Sequence, residues 1–199
     1  MQEIINAFKL MSSWEITAAL LGVAYVILAA KESLWTWAFG FASTLIYTII
    51  FWEGALVSSS LLNFYYMIMS VYGFYAWRKN KEDKTLKIST YALTKNLKFV
   101  GVGLIFSLII GYLSTTYSDA KLAYMDSFVL VFSVIATWML TQKLLENWLY
   151  WLVVDFVAIV LYWKMGYLAT VILFMIYIIL GLYAYFNWMK EFYKEKEMP

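Results

Sequence analysis

The chain has no cysteine, no histidine, one proline, and charged residues at only 14% of its 199 positions. Without cysteine there is no disulfide, no thiolate metal site and no catalytic thiol. Without histidine the commonest general base, proton relay and haem or zinc ligand is missing. Scarce charge set against 64% hydrophobic residues leaves more apolar surface than a soluble domain of this size buries. An integral membrane protein remains, with the lipid bilayer as its first partner and neither nucleic acid, metal nor cofactor expected. The stretch Met1 to Ser13 lacks a signal-peptide core, and its Ile4, Ile5, Phe8 and Met11 fit an amphipathic helix lying on the bilayer, so no secretion signal is expected to be cleaved.

What the chain does have is hydropathy in seven blocks: Glu15 to Ala30, Leu34 to Trp52, Ala55 to Trp77, Leu97 to Leu113, Met125 to Leu140, Trp148 to Trp163 and Gly166 to Trp188. Some are near the lower limit for a membrane span, which predicts helices extending past these bounds or a locally thinner bilayer. The polar breaks are short, so consecutive helices are antiparallel neighbours. The exception is the charged loop Arg78 to Lys84, followed by the amphiphilic Tyr91 to Lys98. Twelve lysines and arginines fall on the C-terminal side of the seven spans and three (Lys9, Lys121, Lys164) on the other. The positive-inside rule then predicts an external N-terminus and a cytoplasmic C-terminus.

A shift of 111 residues, without gaps, superimposes Glu15 on Asp126, Trp37 on Trp148, Trp52 on Trp163, Tyr66 on Tyr177, Tyr72 on Tyr183 and Trp77 on Trp188. The expected fold is therefore all-α, with seven transmembrane helices arranged as two parallel three-helix repeats joined by a linker helix, 3+1+3. The segments are an interfacial 1–13, a first repeat 14–80, a cytoplasmic loop and linker helix 81–120, a second repeat 121–190 and a cytoplasmic tail 191–199. Parallel repeats about an axis along the membrane normal are a transporter architecture, with the substrate near the midplane between the halves. A repeat kept for packing alone is the competing reading.

The run Glu146-Asn147-Trp148-Leu149-Tyr150-Trp151-Leu152-Val153-Val154-Asp155 places a carboxylate seven residues into a span. An unpaired charge there is costly enough to mark function. Helical spacing sets Trp148, Trp151, Asp155 and Tyr162 on one side. Flat aromatic faces with one negative charge suit a small, flat, cationic molecule. Opposite them, the third span carries Ser59, Asn63, Tyr66 and Ser70 as a polar stripe, the second adds Ser43 and Tyr47, and the seventh adds Thr170 and Tyr177 on a face with Gly166 and Gly181. The candidate substrate-binding set is thus Asp155, Trp148, Trp151, Asn147, Asn63, Tyr66, Tyr47, Ser43, Ser59, Tyr162, Tyr177 and Thr170. Against it stand an interfacial tryptophan belt and, for the small and hydroxyl residues, helix packing.

Other classes fare worse. A retinal-binding protein needs a lysine in the last span, and Gly166 to Trp188 has none. An intramembrane enzyme needs a nucleophile with a base, or facing carboxylates, whereas Asp155 is alone at depth. A receptor or structural protein stays open.

The segments Ser60-Leu-Leu-Asn-Phe-Tyr-Tyr through Val71-Tyr-Gly-Phe-Tyr-Ala-Trp77, and Glu146-Asn-Trp through Asp155-Phe with Tyr162 and Gly166, resemble the PnuC family of bacterial vitamin transporters, over about Glu15 to Lys190. That resemblance implies a fold related to the SWEET sugar transporters and a homotrimer with a pathway in each protomer. It also implies location in the bacterial cytoplasmic membrane and facilitated diffusion followed by metabolic trapping. Its best-known members carry nicotinamide riboside, and other branches carry thiamine or riboflavin. Asn63 falls where nicotinamide riboside members commonly have glutamine, and Asp155 where they often have asparagine. The pattern is more similar to the thiamine branch, PnuT. A thiazolium cation with an aminopyrimidine suits a carboxylate, and the sugar hydroxyls of a ribonucleoside suit amides. Thiamine is the expected substrate, and nicotinamide riboside, also cationic, is the alternative.

Overall fold

The computed structural model describes residues 11–53, 57–79, 86–118 and 121–197. Most of these fall in seven helices: α1 (Ser13–Ala30), α2 (Trp35–Glu53), α3 (Val57–Lys79), α4 (Leu93–Tyr117), α5 (Ala123–Thr141), α6 (Asn147–Met165) and α7 (Leu168–Glu197). Residues 1–10 of the expected interfacial segment and 80–85 of the charged loop lie outside the described residues.

Six of the seven are long and apolar enough to cross a membrane. The other, α3, has the length at 23 residues but spends polarity on Ser58, Ser59, Ser60, Asn63 and its terminal Arg78 and Lys79. The helices overrun the hydropathy blocks. α4 starts at Leu93 rather than Leu97, and α7 runs to Glu197, so most of the expected tail 191–199 continues a helix. Hydropathy reports where the chain leaves lipid, whereas a helix continues while its backbone bonds are satisfied. At about 1.5 Å per residue, α7 exceeds the hydrocarbon thickness of about 30 Å.

Local chemistry sets the helix ends. Ser12 and Glu15 form a reciprocal capping box at the start of α1. Gly166, at φ 83°, closes α6 in a left-handed conformation that glycine adopts without steric cost. The turns joining α1 to α2 and α5 to α6 are built alike. Glu32 and Lys143 occupy the left-handed region at φ 52° and 50°. The bonds Glu32 N–H to Ala29 O, Ser33 N–H to Leu28 O and Thr36 N–H to Ser33 O recur 111 residues on as Lys143 to Leu140, Leu144 to Met139 and Asn147 to Leu144, all between 3.0 and 3.1 Å.

Neighbours in sequence pack together in both halves: α1 on α2, α2 on α3, α5 on α6, α6 on α7. The halves meet through α1 against α7 and α3 against α5, and α4 packs on α5. After the charged loop, the chain returns as a short extended strap. Ser89 forms a parallel bridge to Leu144, donating to Lys143 O at 3.0 Å and accepting from Leu145 N–H at 2.9 Å. Leu104, Ile105, Phe106, Leu108 and Ile109 of α4 are exposed, as are Trp52 and Trp163, which end α2 and α6. In a bilayer these are lipid contacts and interfacial anchors.

Candidate functional site

Seven residues of helix raise Asp155 about 10 Å above Trp148, to a position where it is 4% exposed. No hydrogen bond or ion pair holds its carboxylate among the described residues. Around it the helices contribute hydroxyls. Tyr177 of α7 lies within electrostatic range of Asp155, Tyr47 and Tyr25. Its hydroxyl sits over Gly22 of α1, where a Cβ would come within 2.6 Å of it. Ser43 of α2 faces the same glycine and donates to Ala18 O at 2.8 Å. In the other half-interface Tyr66 of α3 reaches Ser133 of α5 and lies near Tyr25, Tyr65 and Tyr162. Ser133 stands 111 residues after Gly22, as Tyr177 does after Tyr66. Each half therefore sends one tyrosine across to the first helix of the other.

The structure gathers Asp155, Tyr177, Tyr47, Ser43 and Tyr66 into this central zone, with Tyr162 at its edge beside Tyr66. Tyr162 stacks on Phe174 at 5.5 Å and lies near Asp126, towards the α5 start. Tyr47 stacks on Phe51 and lies near Glu15, towards the α1 start. Ser59, Asn63 and Thr170 are half-buried on the first turns of α3 and α7, and Asn63 Nδ2 donates to its own helix at Ser59 O, 2.9 Å.

Trp148 and Asn147 sit at the opposite end, one full step of the α6 face away. Trp148 packs edge-on to Trp188 at 5.4 Å, Trp188 tilts against Trp77 at 6.1 Å, and Trp77 packs edge-on to Trp37 at 5.0 Å. This file of four tryptophans joins the two halves. Trp151 packs against it and against the apolar cluster between α5 and α6, and so lies between the tryptophans and Asp155 on α6. Trp188 donates to Ala29 O at 3.1 Å. The indole N–H groups of Trp37, Trp77 and Trp148 are buried without an acceptor, as is Asn147 Oδ1 without a donor. Unsatisfied buried groups of this kind suit a polar guest that brings the missing partners. Asn147 Nδ2 donates to Leu144 O at 2.6 Å. Glu146 fastens the strap, its Oε1 accepting from Tyr91 N–H at 2.8 Å and from Asn96 Nδ2 at 3.4 Å.

Sequence reasoning passed over Tyr25, Gly22 and Ser133. Tyr25 reads as one aromatic in an apolar helix. The glycine and the serine show their importance only when the repeat sets them at equivalent positions. Their role yields a direct expectation. Gly22→Ala pushes the Tyr177 hydroxyl out of the central zone, while the phenol, a movable side-chain end, leaves the fold intact. Displacing that hydroxyl should slow uptake about tenfold, equivalent to about 1.4 kcal/mol, while the detergent melting curve stays nearly unchanged because the clashing atom is a movable side-chain end.

The chain is similar to known proteins along most of its length. A family model described as nicotinamide mononucleotide transporter matches residues 12–190. The nicotinamide riboside transporter PnuC of Escherichia coli is 25% identical over 181 residues, 77% of this chain and 76% of that one. The riboflavin/roseoflavin transporter RibM of Streptomyces davaonensis is 24% identical over 173 residues, 85% of this chain and 81% of that one. The PnuC of Neisseria mucosa is 24% identical over 204 residues, 95% and 76% respectively. A crystal structure of the vitamin B3 transporter PnuC superimposes with a TM-score of 0.75 at 22% identity, covering 97% of this chain and 87% of that one, which establishes a shared fold.

Proposed function

Because the chain belongs to the nicotinamide mononucleotide transporter family, the PnuC-type vitamin transporters, and is a multi-pass transporter-family protein rather than an enzyme, we propose that it takes up a small, flat, cationic vitamin by facilitated diffusion. The observation that carries this reading is Asp155, buried in a membrane span without a cation of its own. The protein leaves that charge for the substrate to neutralise. Tyr177 of α7 lies within electrostatic range of it and leads on to tyrosine and serine hydroxyls of α1, α2 and α3, and Trp151 offers an aromatic face on the same side of α6.

Thiamine is the first reading, on the strength of Asp155, since a carboxylate pairs with both the fixed cation and the aminopyrimidine. Nicotinamide riboside is the second, favoured by what the E. coli and N. mucosa relatives carry. The remaining predicted residues Asn63, Ser59 and Thr170 line the outer approach in this reading, and Trp148 and Asn147 the inner end. The architecture is read as two parallel repeats, 14–80 and 121–190, joined by the linker helix within 81–120. Exchanging α1 with α5, α2 with α6 and α3 with α7 turns every helix pairing except that of α4 into another observed pairing, and the twin turns and crossed tyrosines support the same exchange. The N-terminus is external and the C-terminus cytoplasmic, in a bacterial inner membrane. The protein is taken as a homotrimer with one pathway per protomer.

A uniporter needs no titratable relay, and the described spans hold one deep carboxylate, already assigned to substrate. A cation entering alone gains about 2.3 kcal/mol per 100 mV of inside-negative potential, and phosphorylation inside would retain it. In liposomes clamped at zero potential, labelled thiamine should equilibrate and exchange without accumulating, and unlabelled thiamine should compete better than nicotinamide riboside or riboflavin. Concentrative uptake on imposing a proton or sodium gradient would refute uniport. Displacement by nicotinamide riboside but not by thiamine would reverse the substrate order.

A further inference from the structure

We infer that Glu32 and Lys143 form a latch that holds the two halves shut at the end where the positive charges gather, and that the latch must open for substrate to leave there. The inference rests on the transport reading above. The two residues form a salt bridge with side chains 27% and 13% exposed. Glu32 belongs to the α1–α2 turn and Lys143 to the α5–α6 turn, and they stand 111 residues apart. They are thus the same position in the two halves, and the bond crosses the axis that relates them.

Three observations make this a latch rather than an ordinary surface pair. Both residues hold left-handed backbone, at φ 52° and 50°, where glycine would be less strained. Strain retained at both positions for charged side chains is the signature of a working contact. The Lys143 ammonium also lies 4.9 Å from the centre of the Trp77 ring, and so caps the file of tryptophans that fills the space between the halves. The seam carries further crossing bonds at the same level: Asn187 Nδ2 donates to Ala30 O at 2.7 Å, and Trp188 Nε1 to Ala29 O. Part exposure to water then gives the pair its reversibility, because each charge regains hydration as the halves separate. A rocking motion that parts the two turns breaks one ion pair and unseats the tryptophans beneath it. The Ser89 strap is bonded to Lys143 O, so it must follow the α5–α6 turn or release it.

The chain is naturally free of cysteine, which permits a test independent of any ligand. A reporter Ser133→Cys, at the Tyr66 contact between the halves, is alkylated by a membrane-impermeant maleimide applied to inside-out vesicles. Glu32→Gln and Lys143→Gln should each speed alkylation about threefold to fivefold, the population shift expected from loss of one part-exposed ion pair. The charge-swapped Glu32→Lys/Lys143→Glu protein should return to the slow rate. Equal rates throughout, or no recovery in the swap, overturn the latch. If either single variant fails to fold, Glu32→Cys/Lys143→Cys replaces it. When oxidised, this protein should bind labelled thiamine or nicotinamide riboside with unchanged affinity yet transport neither until reduced, and transport while cross-linked overturns the proposal. A protein that binds neither compound in any form refutes the transport reading instead, and the alkylation rates still decide the latch.

Discussion

Asp155→Asn should weaken binding of a cationic substrate by at least about 1 kcal/mol, because an ion pair sheltered from bulk water exceeds an exposed one. The same change should raise stability by about 1–3 kcal/mol, since it relieves a buried carboxylate that has no protein partner. The opposite signs distinguish the two roles open to this residue. A carboxylate kept for helix packing would lose stability on substitution and leave affinity untouched. Calorimetric titration paired with thermal unfolding in one detergent reads both quantities. Unchanged affinity would assign Asp155 to packing. Riboflavin lacks a fixed positive charge, so any binding of it should not respond to loss of the carboxylate.

Gly73→Ala should destabilise the fold by about 1–3 kcal/mol through overpacking. An added Cβ would lie 2.4 to 2.6 Å from three carbons of the Trp37 ring. That ring is 2% exposed and wedged against Trp77, so it has nowhere to retreat. The equivalent position in the second half, 111 residues on, is Ala184, buried within the same cluster as Trp148. One half of the tryptophan file thus accepts a methyl group that the other excludes. Gly101→Ala is the control. Nothing lies within 4 Å of its added carbon, and helix propensity alone predicts a gain of up to about 1 kcal/mol. Equal melting shifts for the two variants would contradict the packing account.

Membrane helices were legible from hydropathy because lipid demands apolar side chains on every helix it touches. Their ends were not, because α4 and α7 continue into water on polar residues that hydropathy counts as loop. Asp155 stood out for the same physical reason, being a charge where charge is costly. The residues placed beside it fared differently. Spacings of three, seven and fourteen bring Trp148, Trp151, Asp155 and Tyr162 to one angle, but every seven residues also climb about 10 Å. One face therefore visits three depths: the tryptophan file, the central carboxylate and the level of Asp126 at the start of α5. Angle is readable from sequence, whereas the depth at which a partner helix meets that face is set by tertiary packing. The Asn63 amide shows the same limit. Its stripe on α3 was visible, yet its nitrogen bonds the Ser59 carbonyl one turn back, a local choice that periodicity does not encode.

The bond between Glu32 and Lys143 also bears on which halves recognise which. Two copies of the first half brought together in the same arrangement would set glutamate against glutamate, and two copies of the second would set lysine against lysine. Like charges at that separation repel, and they would do so at the mouth of an apolar seam. Only the mixed pairing gains an attraction. The contact therefore discriminates unlike from like: it favours a first half beside a second half and disfavours pairing of two first halves or two second halves from neighbouring copies in the same membrane, where both kinds are present at high local concentration.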